Sequence, residues 1–209
     1  MSGEVEDERG VGRVEAFSDG VLAIILTIMV LELKAPDQDG FSPLFHLWPT
    51  VFAYVLSYFY ISVYWINHHR LFSHARVVTN ELLWSNIALL FSLSVLPFTT
   101  AYVGKHLASS VASAIYVGSL LAPAGAYFWL QRVIQRTGRR DATAETYHRA
   151  TLRKGLVASA IYAAAIPLSF VSSGISLTLA GLVGMFWILP WGPLDRVFLG
   201  KSAGNDAGE

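Results

Sequence analysis

No cysteine occurs among the 209 residues, which excludes disulfides, thiol nucleophiles and thiolate metal sites. Charge is scarce as well: Asp, Glu, Lys and Arg make up 14% of the chain, against 54% hydrophobic residues. A water-soluble domain of this size needs more polar surface, so the composition is that of an integral membrane protein. The 15 basic residues balance the 15 acidic ones, which leaves no net field to attract nucleic acid. No Thr-Val-Gly-Tyr-Gly run is present, so a potassium filter built on that sequence is excluded. A nucleophile elbow, a phosphate loop and a zinc-binding histidine pair are also missing, since His68 and His69 are adjacent and His74 follows His69 by five. An enzyme is not expected, and no cofactor is called for.

What the chain does have is length of apolar sequence. Segments at roughly 13–33, 44–66, 80–103, 107–131, 153–172 and 175–194 predict six transmembrane helices. The first is read as a retained helix rather than a signal peptide, because Glu4, Glu6, Asp7 and Glu8 precede it where a signal needs positive charge. Six crossings put both termini on one side. That side then carries thirteen of the basic residues, seven of them between Arg132 and Lys154, and the other side only Lys34 and Lys105. The positive-inside bias makes the first side cytoplasmic. The expected organisation is a cytoplasmic tail over 1–12, a transmembrane domain over 13–200 and a C-terminal tail over 201–209, with both tails unstructured. The Ala, Gly and Ser of the fourth and fifth segments suggest close helix approach.

The first segment carries the most information. Arg13, then Phe17-Ser18-Asp19-Gly20, precede the run Val21 to Leu33. At 100° per residue, Ile24, Ile28 and Leu31 fall within about 40° of one line, Gly20 and Phe17 extend it, and Thr27 lies about 60° aside. Asp19 projects about 140° from that line, so the acid and the stripe must serve different surfaces. On the residues alone, the stripe fits a face turned to lipid or to the bundle interior. Ser18 and Asp19 fit either a helix-start device or a pair held inside the bundle by donors from other segments. Trp65, Asn67, His68, His69, Trp84 and Asn86 lie at the same expected depth and are the candidate donors. Arg13 is read as a structural anchor paired with Glu15 or another acid, and Glu32 as a helix end or an outer cation attractor.

The pattern Arg13-x-x-x-Phe17-Ser18-Asp19-Gly20, with Trp65-x-x-His68-His69-x-Leu71-Phe72, Leu83-Trp84-x-Asn86 and Pro97-Phe98-x-Thr100, resembles the lysosomal and endosomal potassium channels of the transmembrane protein 175 family, in particular their bacterial branch. The resemblance covers the first half of the chain. It implies a homotetramer in the cell membrane, surrounded by lipid and passing potassium ions, with the pore lined by the first helix. It places the narrowest apolar constriction at Ile24, further layers at Ile28 and Leu31, and a polar layer at Thr27 beside which potassium would pass partly dehydrated. Arg13, Phe17, Ser18, Asp19, Gly20, Trp65, His68, His69, Trp84 and Asn86 become the motif's structural network. The alternative expectation is a proton channel or proton-coupled secondary transporter using Asp19 and the nearby histidines.

Overall fold

The computed structural model describes residues 2–138 and 142–188, and within them the chain is helical with no strand. Helix α1 spans Ser2–Leu31, α2 Phe41–His46, α3 Trp48–Phe72, α4 Asn80–Ser94, α5 Leu96–Lys105, α6 Ser110–Thr137, α7 Ala142–Leu168 and α8 Ser173–Ile188. Four stretches are long and apolar enough to cross a membrane: Arg9–Leu31, Trp48–Phe72, Asn80–Lys105 and Ser110–Thr137. Helix α8 is apolar but shorter, while α7 carries charged residues through its first half.

Local chemistry explains the boundaries. The second apolar segment divides because Pro49 opens α3 at its first turn, leaving 41–46 as a separate short helix. Thr79 caps α4, its hydroxyl accepting from the Leu82 N–H at 3.1 Å. Pro97 lacks the N–H that would continue that helix, and the third segment becomes α4 and α5, meeting at Val95. Ser109 caps α6 through the Ala112 N–H. Helix α7 starts eleven residues before the expected 153, supported at its polar end by an Arg149 to Glu145 pair at 2.8 Å. It stops just after Pro167, short of the expected 172. The stretch 2–12, expected to be unstructured, is helical and forms the first turns of α1. The C-terminal tail, 201–209, lies outside the described residues.

Helix α6 packs against α4, α5 and α7, while α8 packs on α7, α6 and α3. Helix α1 lies on the side of this group, against α3 and α4 and more lightly against α5. Leu22, Ile61, Leu82, Leu89, Leu93, Leu96 and Leu120 are fully buried at the centre. A hydroxyl chain ties the interrupted third segment into that core. Thr100 donates to Ser57 at 2.8 Å, and Ser57 lies 2.8 Å from the Tyr116 hydroxyl, joining α5, α3 and α6. With no water to compete in hydrocarbon, such bonds hold the helices in register. At Gly104 the backbones of α5 and α3 nearly touch, since a Cβ there would sit 2.9 Å from the Thr50 Cα.

Candidate functional site

The site is built on α1, and its two sides differ. On the inner side, Ser18, Leu22, Ile25 and Met29 are buried. Ser18 belongs to a chain of three polar side chains from three helices. Its hydroxyl donates to the Val14 carbonyl at 2.8 Å and accepts from Asn86 Nδ2 at 2.8 Å. Asn86 Oδ1 in turn lies 2.9 Å from His68 Nε2. The amide nitrogen is engaged as a donor, so the amide oxygen is the acceptor and His68 carries its proton on Nε2. Ser18 and His68 have no exposed surface and Asn86 has 2%. His68 also stacks on Phe72, with ring centroids 4.3 Å apart.

Two further contacts fix the same stretch of α1 to α3 nearer the surface. Trp65 Nε1 donates to Asp19 Oδ1 at 2.9 Å, and His69 Nδ1 lies 2.7 Å from Glu15 Oε1. The Trp65 and His69 rings stack at 6.3 Å. Pairs 15–69 and 19–65 run in opposite senses, so the two helices are antiparallel here. Ser18 and Asp19 lie in mid-helix rather than at a start, which removes the helix-start reading: no free N–H exists there to cap.

Not every expected member joins. Asn67 turns the other way, donating to the Val63 carbonyl, while its own carbonyl accepts from Tyr127 and Tyr147. Trp84 is 65% exposed and makes no hydrogen bond among the described residues. Glu15, expected beside Arg13, is taken by His69 instead. Arg13 is exposed and has no ion pair among the described residues. The Glu15–His69 contact spans 54 positions of sequence, and no local pattern announces it.

The outer side of α1 carries the stripe. Phe17, Gly20, Ile24, Thr27, Ile28 and Leu31 are all exposed, Ile24 by 58% and Leu31 by 72%. The Thr27 hydroxyl donates to the Ile24 carbonyl at 2.9 Å, which commits its proton and leaves oxygen lone pairs free. A groove of about 660 Å³ runs beside the stripe. Ile24, Ile28 and Glu32 form one wall, and Pro97, Phe98, Tyr102 and Lys105 the other.

The profile of a family described as "Endosomal/lysosomal potassium channel TMEM175" matches residues 13–97, the stretch that holds the stripe, the polar chain and all its partners. A potassium channel of Chryseobacterium sp. (strain P1-3) is 39% identical over 181 residues, covering 86% of this chain and 93% of that protein. The chain belongs to the TMEM175 family. A potassium channel of Chamaesiphon minutus is 32% identical, with 89% and 97% of the two chains covered. The crystal structure of a lysosomal potassium-selective channel TMEM175 homolog from Chamaesiphon minutus superimposes with a TM-score of 0.76 at 32% identity, covering 86% of this chain and 97% of that one. The mouse endosomal/lysosomal proton channel TMEM175 is 37% identical over 97 residues, which is 41% of this chain and 19% of the mouse protein. The TMEM175 members among these relatives are channels, not enzymes, in keeping with the missing catalytic motifs.

Proposed function

We propose that this chain forms a potassium-permeable cation channel in the cell membrane, a homotetramer whose pore is lined by α1. The observation that carries the reading is the division of α1: polar groups and packing hold one side to α3 and α4, and a largely exposed apolar stripe runs along the other. The names of the bacterial relatives support the ion, and the family supports the use of the first helix. Six crossings with both ends cytoplasmic, α7 and α8 completing the set, remain the topology that best satisfies the distribution of basic residues.

In this reading, rings of Ile24, Ile28 and Leu31 form apolar constrictions. Such a ring offers no ligands, so an ion crosses it hydrated or after losing water, and the ring dewets when narrow. Both routes favour the less tightly hydrated potassium over sodium. The Thr27 ring supplies oxygen: with the proton engaged by the Ile24 carbonyl, each hydroxyl turns acceptor lone pairs toward a cation. Ser18, Asp19, Trp65, His68, His69 and Asn86 set helix placement rather than contacting the ion.

Single-channel recording from purified protein in a planar bilayer tests the proposal. Under a potassium/sodium gradient at symmetrical pH, unitary currents should reverse near the potassium potential. Turnover-limited flux without unitary events would overturn it. Replacing Ile24 with Asn should change conductance several-fold. The same recordings under a pH gradient separate the second reading, which the name of the mouse relative favours and for which the buried His68–Asn86–Ser18 chain is the candidate path. That chain ends on the Val14 carbonyl, an acceptor with no proton to pass on, so it serves better as a structural tie than as a proton path.

A further inference from the structure

A second cavity, of about 230 Å³, lies far from the stripe, among α3, α6, α7 and α8. It occupies the half of each helix nearest the basic loop between α6 and α7, as its lining residues Asn67, Gln131, Thr151 and Trp187 show. Its origin is the small residues that were expected to bring α6 and α7 close. Gly125 and Gly155 line it from facing helices, yet a Cβ at either position meets no atom within 4 Å. Here glycine holds space open. Most of the cavity's exposed wall is apolar, from residues such as Val63, Ala124, Leu152 and Ala158, with Asn67, Gln131 and Thr151 toward the basic end.

The cavity also reaches the outer surface of the bundle. Phe128 and Leu156 both line it and are exposed, by 40% and 58%. One turn beyond Phe128 toward the basic end, the Arg132 guanidinium lies over the Phe128 ring, 5.0 Å from its centroid. Arg132 makes no ion pair among the described residues. An apolar slot that opens to the hydrocarbon side beneath an uncompensated guanidinium has the shape and charge of a site for a chain with an anionic head.

We propose that this slot binds an anionic phospholipid of the cytoplasmic leaflet, with one acyl chain between Gly125 and Gly155 and its phosphate on Arg132. The proposal takes its membrane placement from the function proposed above but does not depend on conduction. The test is native mass spectrometry of the purified protein in mild detergent, titrated with phosphatidylglycerol or phosphatidylcholine. Phosphatidylglycerol should be retained at least five-fold better than phosphatidylcholine. Gly155→Leu fills the slot and should lower that retention about ten-fold; Gly125→Leu fills it from the opposite wall and serves if the first variant does not fold. Arg132→Gln should bring phosphatidylglycerol down to the phosphatidylcholine level. Undiminished retention in a folded slot-filling variant, or equal retention of the two lipids by the unaltered protein, overturns the proposal. A protein that discriminates the lipids but passes no unitary current overturns only the channel reading.

Discussion

The two sides of α1 are nearly alike in composition and opposite in exposure. Leu22, Ile25 and Met29 are as apolar as Ile24, Ile28 and Leu31, and the two sets alternate along the same turns. The inner set is buried against α3, α4 and α5, and the outer set stays 44–72% exposed beside the groove to α5. Hydrophobicity alone therefore does not say which side faces inward. The polar groups decide it: Ser18 reaches Asn86 and Asp19 reaches Trp65, and once those bonds are made the stripe has one direction left to face.

Breaking the inner side should cost stability, and the largest loss belongs to its polar chain. Asn86→Leu leaves His68 Nε2 without an acceptor and the Ser18 oxygen without its donor, while Ser18 keeps its bond to Val14; it should lower stability by about 4 kcal/mol, seen as a fall in melting temperature in detergent. Leu22→Ala removes packing without touching a hydrogen bond and should cost about 3 kcal/mol, since the cavity term persists in lipid.

Acid offers a perturbation remote from both sides. Burial first, and neighbouring His74 second, push His148 down from 6.5 to about 4. The fold therefore favours the neutral ring. Its contribution is complete above pH 6.5 and is lost as pH falls from 6.5 toward 4, by on the order of 2 kcal/mol. His148→Phe should flatten that part of the melting-temperature profile while leaving the contrast between the sides of α1 intact. Trp65→Phe keeps the ring and deletes one half-exposed bond to Asp19, so about 1 kcal/mol is expected. The smallest effect on stability sharpens the comparison most. Ile24→Ala should change melting by less than about 0.5 kcal/mol while altering unitary conductance several-fold. A large loss of stability there would mean that Ile24 packs against protein rather than lining a pathway.

The angular separation of Asp19 from the stripe was legible because helical periodicity needs only one turn of sequence. Asn86, His68 and Trp65 could be nominated because their depth follows from counting apolar segments. Which nominee pairs with which acid was not legible: Trp84 and Asn67 match Trp65 and Asn86 in type and depth, and only the rotation of α3 and α4 about their own axes separates them. The early start of α7 escaped for a related reason, since its polar first turns carry no apolar run and resemble a loop. Glycines at Gly104 and Gly155 look the same in sequence, yet one marks near contact of backbones and the other an open wall. That distinction depends on the neighbouring helix.

Among the described residues, the side-chain hydrogen bonds that tie α1 to other helices all lie between residues 15 and 19. Above them the helix rests on van der Waals contact alone as far as Leu31. Bonds in two directions at mid-helix fix its rotation and height there, and the packing of Leu22, Ile25 and Met29 sets its inclination above. Ile24 lies about 7 Å from Asp19 along the axis and Leu31 about 18 Å, at 1.5 Å per residue. A lean of about 10° would then carry Leu31 sideways by about 3 Å and Ile24 by little more than about 1 Å. Where the packing of Leu22, Ile25 and Met29 yields, a lean about the motif would move Leu31 more than twice as far as Ile24.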